Sequence, residues 1–324
     1  MRVVSLPLAN RRLYDKRVFL CSTIPLIEPR TERPLSPSRT ARRHRQFHAP
    51  LPIRLWHLAS LDAPTVALIW SLSFAWVTDV RLPWWVLFLV PLGVWAVYVV
   101  DRLLDARRGV QLSALEQLRE RHIFHWRHRR ILVPIAAVST LIAAWIVFRL
   151  MPSTTREHDS LLAAASFLYF TRVHSGHRFL PLLPKELLVG AIFTLGCVIP
   201  VFSRAHLSVA SWPILIAAVF FALLAWLNCH AIDRWESRDA NSSGYLVALP
   251  ALILTAACSI CFALLFASHP RSACLIACGA AAALLLAALD RVRGRITPVT
   301  LRATADLALL TPAMLLALAP LFCK

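Results

Sequence analysis

Apolar residues gather in nine segments after Trp56, and short stretches between them carry most of the charge. The segments cover roughly residues 62–80, 82–100, 131–150, 160–172, 187–203, 211–228, 245–268, 272–289 and 303–322. Most of them are long enough for a helix to cross the hydrocarbon core of a bilayer. Because an open sheet leaves unpaired backbone groups in lipid, we interpret the segments as helices. The pattern predicts an all-α integral membrane domain of nine transmembrane helices over residues 55–324.

The composition excludes a soluble main body. Of the 324 residues, 58% are hydrophobic and 16% are charged, and the mean hydropathy is +0.62. Average globular chains are about 45–50% apolar and about 25% charged. A single soluble core of this size cannot bury so much apolar surface. Soluble enzymes, secreted disulfide scaffolds and disordered tails are therefore excluded as the main body.

Residues 1–54 differ from the rest of the chain. They are rich in Arg and Pro, and they contain no apolar run long enough for the core of a signal peptide. We interpret them as a basic, disordered N-terminal arm, and we leave open whether the arm belongs to the mature protein.

The net charge of +18 indicates the topology of the chain in the membrane and not a nucleic-acid site. The basic residues are dispersed between apolar spans, whereas a nucleic-acid site gathers them on one face. With nine spans and a cytoplasmic N-terminus, most Lys and Arg fall on the cytoplasmic side, as the positive-inside rule requires. We predict a protein of the bacterial inner (plasma) membrane that contacts anionic lipids and binds no nucleic acid.

Two acids lie at the end of the second span. Asp101 and Asp105 are four residues apart, so they share one face if the helix continues. Both oppose the dipole at a helix C-terminus, so they require a nearby cation. The candidates are Arg102, Arg107 or Arg108, or a divalent metal, because carboxylate oxygens suit Mg²⁺.

A second group of oxygen ligands follows the sixth span, on the same predicted side of the membrane. It comprises Asn228, Asp233, Glu236 and Asp239. Two facing groups of carboxylates can hold Mg²⁺ ions that bridge a diphosphate.

This arrangement resembles the UbiA superfamily of intramembrane prenyltransferases, which has nine helices and aspartate-rich motifs after the second and sixth. Asp101 and Asp105 match the last two acids of the first motif, while Tyr98 replaces its first Asp and Val97 its Asn. The second motif has a different spacing from that of the family. The segment from Pro184 through Gly196 is similar to the start of the family's fifth helix.

The resemblance implies Mg²⁺-dependent transfer of a prenyl group from a prenyl diphosphate to an aromatic or lipid acceptor inside the membrane. The implied catalytic and metal-binding residues are acids of both groups: Asp101, Asp105, Asp233, Glu236 and Asp239. The implied substrate-binding residues are Asn228, Lys185, Arg102, Arg172, Arg178 and Tyr98.

Two alternatives remain. The first is a non-catalytic member of the family that binds an isoprenoid or lipid. The second is a membrane oxidase with a histidine box, formed by His122, His125 and His128 together with His174 and His177. We favour a basic, lipid-facing surface helix over residues 120–130, because the flanking arginines would repel a metal.

Two further acids lie within spans. An intramembrane acid such as Asp306 is a functional candidate by default, although Arg302 lies one turn earlier and is a candidate ion-pair partner. Asp62 begins the first span, where an acid also stabilises a helix N-terminus.

Overall fold

The computed structural model describes residues 47–111, 119–175, 184–205, 211–236 and 246–322. In these ranges the chain forms helices and no strand beyond one isolated bridge between Phe47 and Ile296, which confirms the predicted all-α class. In chain order the helices are α1 (Leu51–Leu58), α2 (Asp62–Val77), α3 (Val86–Gln111), α4 (Glu120–Arg127), α5 (Arg129–Arg149), α6 (Ser153–Ser175), α7 (Lys185–Phe202), α8 (Trp212–Glu236), α9 (Ala248–Leu265), α10 (Pro270–Val292), α11 (Pro298–Ala308) and α12 (Pro312–Phe322).

A helix lies at each predicted apolar segment, and the ninth segment is divided between α11 and α12. Among the described helices, five are long and apolar enough to cross a membrane: α3, α5, α8, α9 and α10. The bent pairs α1–α2 and α11–α12 raise this number to seven if each pair is one span. The chain is therefore a membrane protein with five to seven candidate spans.

Apolar side chains cover the outer faces of the candidate spans. Leu141 and Phe148 on α5, and Ile253 and Leu264 on α9, are each at least 60% exposed. Apolar patches of this kind are rare on soluble monomers. Lipid chains are as apolar as these side chains, so a bilayer is the environment that such faces fit.

The core lies where α2, α8 and α10 meet. Trp70 of α2 stacks on Phe221 of α8, with ring centroids 3.8 Å apart. The indole Nε1 of Trp70 donates a hydrogen bond of 2.8 Å to the carbonyl oxygen of Leu309. That residue lies directly after α11, so the core aromatic residue also fixes the place where the final apolar segment bends.

Helices α7 and α8 approach each other closely at Gly190. A Cβ atom at this position would lie 2.8 Å from the backbone nitrogen of Trp226 and 2.9 Å from the carbonyl oxygen of Ala222. Real Cβ atoms do not come this close to a backbone, so the packing of the two helices requires glycine here.

A sharp break separates α1 from α2, whose axes differ by 88°. Ser60 lies in the break with φ of 61°, a left-handed conformation that is uncommon for residues other than glycine. Its side chain is fully buried. The break therefore directs polar groups of the α1–α2 junction into the protein.

Residues before α1 pair with the start of α11. The amide of Phe47 donates to the carbonyl oxygen of Arg295, and the amide of Thr297 donates to that of Phe47. The amide of Ala49 donates to Oγ1 of Thr300. The predicted arm boundary at residue 54 falls inside α1, and residues 1–46 lie outside the described residues.

Helix α4 packs against α1 and α3. The predicted helix at residues 120–130 is present, but its description as a lipid-facing surface helix is wrong for the histidine face. His122 and His125 are buried, and Nε2 of His125 lies 3.0 Å from Oγ of Ser60 at the α1–α2 break.

Candidate functional site

A cavity of about 640 Å³ opens beside α1, α4 and α11, and we call it the basic cavity. Its described lining contains four arginines and two glutamates, so its charged residues favour an anion. The charged and histidine residues of the lining are His48, Arg54, His57, Arg119, Glu120, Arg121, Glu236 and Arg302.

A second, much smaller pocket of about 40 Å³ lies among α2, α3, α7, α8 and α11, and we call it the apolar pocket. Its lining is mainly apolar and includes Val66, Phe193 and Leu309. Three polar side chains also line it: Tyr98, Asn228 and Asp306.

A buried polar cluster of His57, Asp62 and Asp306 lies between the two spaces. His57 lines the basic cavity and Asp306 lines the apolar pocket. Nδ1 of His57 lies 2.6 Å from Oδ2 of Asp62 and 3.5 Å from Oδ2 of Asp306. Nδ2 of Asn228 donates a hydrogen bond of 3.0 Å to Oδ1 of Asp306. We call His57, Asp62 and Asp306 the boundary cluster.

Arg102 supports the boundary cluster from α3. Its Nη1 donates to Oγ of Ser60 at 2.5 Å and to the carbonyl oxygen of His57 at 3.2 Å. Its Nη2 lies 3.7 Å from Oδ2 of Asp62. Arg102 is thus the counter-ion of Asp62, and the buried carboxylate has the partner that burial requires.

The hydrogen bonds of His125 assign its tautomer. Nδ1 lies 2.8 Å from the carbonyl oxygen of Arg121, which can only accept, so Nδ1 carries a proton. In the neutral ring, Nε2 then accepts from Oγ of Ser60 at 3.0 Å. Burial, together with Arg102 and Arg121, lowers the pKa of His125 to about 4. His125 is therefore neutral at pH 7.

His122 has a different partner. Its Nε2 accepts a hydrogen bond of 3.1 Å from Nε of Arg121. Burial and the charges of Arg121, Arg119 and Arg102 lower the pKa of His122 to about 3. Nδ1 of His128 donates instead to the carbonyl oxygen of Phe124. The three imidazoles of the proposed histidine box thus have separate partners, and His177 lies outside the described residues, as does the side chain of His174.

Positive charge is concentrated around Arg121. Burial, together with the charges of Arg102 and Arg119, lowers the pKa of Arg121 to about 9. In the described part of the chain, no carboxylate forms an ion pair with Arg121. The low pKa values of both histidines and of Arg121 thus share two causes, which are burial first and the positive charge of neighbouring arginines second.

Glu236 and Arg302 form a buried ion pair across the same cavity. One carboxylate oxygen of Glu236 pairs with Nε of Arg302, and the other lies 2.5 Å from Nη1 of Arg119. The predicted pairing of Arg302 with Asp306 is therefore wrong, because Asp306 is bound by Asn228. Arg302 is 4% exposed, and its Nη2 has no hydrogen-bond partner among the described residues.

The two predicted acidic groups face the same arginine. The charges of Asp233 and Asp105 both act on Arg119, and Asp105 also lies 4.0 Å from Nε2 of His122. Asp101 acts on Arg121. The cations near these acids thus include residues of the α4 region, which the sequence interpretation did not consider.

The predicted metal ligands do not form a metal site among the described residues. Asp101, Asp105, Asp233 and Glu236 supply no group of three ligand atoms within 4.8 Å of one another. The boundary cluster does meet that distance, but Arg102 already supplies positive charge beside Asp62. Asp239 lies outside the described residues, so Mg²⁺ stays a prediction.

The predicted substrate-binding residues have different locations. Tyr98 and Asn228 line the apolar pocket, and Arg102 pairs with Asp62 of the boundary cluster. Lys185 begins α7 and Arg172 belongs to α6, but the side chains of both lie outside what is described. Arg178 also lies outside the described residues.

Sequence reasoning missed His57, Arg119 and Arg121 as lining residues of the basic cavity. The sequence indicates only that Arg119 and Arg121 are among the basic residues between spans, and His57 lies before the first predicted span. The available signal was that His57 and Asp62 are five residues apart. Their side chains meet because a helix break lies between them.

Comparisons of the chain with family models, with curated proteins and with solved structures find no match.

Proposed function

We propose that this protein binds a prenyl diphosphate and transfers the prenyl group to a hydrophobic acceptor within the membrane, as UbiA-type enzymes do. The observation that supports the proposal is the position of the boundary cluster. It lies between a cavity lined by four arginines and a pocket lined mainly by apolar side chains. A prenyl diphosphate has the same two parts, a charged diphosphate and an apolar chain, joined at one carbon.

In this proposal the diphosphate occupies the basic cavity. Arginine side chains bind phosphate oxygens in a bidentate manner and stabilise the negative charge that develops when the diphosphate leaves. The first carbon of the prenyl group then lies near the boundary cluster. The apolar pocket has a volume of only about 40 Å³, so the chain continues between helices or into the bilayer.

The transfer breaks the bond between C1 and the diphosphate oxygen, and the bonding electrons leave with the diphosphate. An electron pair of the acceptor forms the new bond to C1, and the acceptor loses a proton. Tyr98 and Phe193 line the apolar pocket, where aromatic rings can stabilise a cationic carbon. Excluding water from this pocket protects that carbon from hydrolysis.

Magnesium stays part of the proposal as a prediction. The acids that would hold it are Asp101, Asp105, Asp233, Glu236 and Asp239, and no step above depends on it. When bound, Mg²⁺ would add positive charge on the leaving diphosphate.

The test is release of diphosphate by the purified protein in lipid, with a panel of prenyl diphosphates and a membrane extract as the source of acceptor. We expect prenylated product and released diphosphate. Chelator and the substitutions Asp101→Ala and Asp105→Ala test the predicted metal ligands. Absence of product from every donor, in the presence of Mg²⁺, would contradict transfer.

A second function, binding of an isoprenoid without transfer, is favoured by one observation. Asp101, Asp105, Asp233 and Glu236 are not assembled as a metal site, and Glu236 is ion-paired with two arginines. Donor binding without product under the same conditions would support this function.

A further inference from the structure

The basic cavity contains a buried guanidinium that its protein partners do not satisfy. Arg302 is 4% exposed, and Glu236 pairs with its Nε. Its Nη2 is buried and has no hydrogen-bond partner in the ranges that the structure covers. Leaving a buried donor on a charged group without an acceptor costs free energy. A ligand that accepts from this nitrogen would remove that cost.

Both glutamates that line the cavity already form ion pairs with arginines. Glu120 pairs with Arg54, and Glu236 lies between Arg119 and Arg302. Arg121 lines the same cavity and has no carboxylate in an ion pair with it in the described ranges. Its Nε donates a hydrogen bond to a neutral imidazole, that of His122. The charges of Asp62 and Asp101 offset that of Arg121 only in part, so an anion in the cavity can balance the rest.

Neighbouring arginines act on the charge of Arg121. The charges of Arg102 and Arg119 add to the effect of burial in lowering the pKa of Arg121 to about 9. Like charges in a partly desolvated site repel each other strongly. An anion in the cavity would relieve this repulsion, as well as accept hydrogen bonds from Arg121 and Arg302.

We propose that Arg121 and Arg302 bind the phosphate groups of the ligand directly, so that binding requires no metal ion. This inference rests on the proposed function for the identity of the ligand as a prenyl diphosphate. It concerns binding alone, and a metal requirement for turnover is a separate question. Guanidinium groups suit this task because they are always charged and present a planar fork of donors to phosphate.

The experiment measures binding of inorganic pyrophosphate by titration calorimetry. The full-length protein is placed in nanodiscs of phosphatidylcholine and titrated in EDTA and, separately, in Mg²⁺. Farnesyl thiodiphosphate, which is not readily cleaved, serves as a second probe. We expect both probes to bind in EDTA, with the farnesyl compound binding more tightly because it also buries apolar surface.

Substitutions test which residues bind pyrophosphate. Arg121→Gln should weaken pyrophosphate binding in EDTA at least tenfold. Arg302→Gln alone removes one of the two cations that pair with Glu236 and endangers folding. Arg302→Gln is therefore combined with Glu236→Gln, and the double variant should weaken binding by a similar factor. Arg129→Gln is the matched control, because Arg129 is exposed, contacts Trp126 and does not line the cavity. It should leave affinity unchanged.

Binding that appears only with Mg²⁺, or equal losses in Arg121→Gln and Arg129→Gln, would overturn the inference while leaving prenyl transfer untouched. Binding in EDTA without any prenyl transfer would support it and contradict transfer instead. A final arm replaces part of the lipid with phosphatidylglycerol. Undiminished pyrophosphate binding assigns the site to a diphosphate ligand, whereas displacement assigns the same arginines to a phospholipid headgroup.

Discussion

Two polar regions of this membrane domain differ in how they are built. Asp105 near the end of α3 and Asp233 near the end of α8 are partly or fully accessible, and each lies on a helix that continues unbroken around it. The boundary cluster joins α1, α2 and α11, and Asp62 in it is 2% exposed. The first region has the sequence pattern of a ligand site, whereas the second has the burial and the neighbouring cavities of one.

The difference shows what a helix break contributes. A continuous helix presents its acids on one face near its end, where solvent and arginines reach them. The breaks at Ser60 and after α11 turn helix ends inward, so that His57 and Asp306 meet although they are distant in sequence. Polar groups in this position require partners, and Arg102 and Asn228 supply them.

The largest expected effect is a loss of folding stability that differs between substitutions in the two regions. Asp62→Asn removes the carboxylate that faces both His57 and Arg102, and breaking a buried ion pair costs about 3–5 kcal/mol. Asp105→Asn is the matched change in the exposed region, where ion pairs contribute about 0–1 kcal/mol. The free energy of unfolding, measured by SDS titration in mixed micelles, should fall strongly for Asp62→Asn alone. Equal losses for the two variants would contradict the contrast.

The next-largest expected effect is a loss of stability from a substitution at Gly190, which lines the apolar pocket. Gly190→Ala places a methyl group against the backbone of α8, and overpacking of this kind costs about 1–3 kcal/mol. Gly93→Ala is the control, because a Cβ atom there has no neighbour within 4 Å. Thermal unfolding in detergent should show a lower midpoint for Gly190→Ala. A midpoint equal to that of Gly93→Ala would show that the two helices do not pack as described.

The smallest expected effect per residue is a dependence of stability on pH near α4. His122 and His125 have folded-state pKa values of about 3 and about 4, below the value of about 6.5 in an unfolded chain. The unfolded state therefore binds more protons, so stability is full above pH 6.5 and falls as the pH drops towards these values. At pH 5 the loss should be on the order of 1–2 kcal/mol per histidine.

The variant His122→Gln with His125→Gln isolates this contribution from that of the carboxylates. The stability difference between pH 7.5 and pH 5, measured in the same mixed micelles, should shrink in the double variant. An unchanged difference would mean that these imidazoles are accessible to protons in the folded protein.

Much of the helical framework could be predicted from the sequence, because hydrophobic runs and their ends are local signals. Tyr98 and Asn228 were also named from the sequence, and both line the apolar pocket. The pairing of Arg302 was not predictable in this way. Its helical neighbour Asp306 was the local candidate, but α8 brings Glu236 to Arg302 and Asn228 to Asp306. Such contacts depend on how helices pack, which spacing along one helix does not contain.

The most direct test of the central claim locates the point where a bound prenyl diphosphate changes from charged to apolar. A photoreactive analogue with a diazirine on its first isoprene unit is crosslinked to the protein in nanodiscs, and the modified residues are identified by mass spectrometry. We predict modification around the boundary cluster and the apolar pocket, at α2, α8 and α11, with competition by unlabelled farnesyl thiodiphosphate. Crosslinks confined to the lipid-facing surfaces of α5 and α9, without competition, would contradict it.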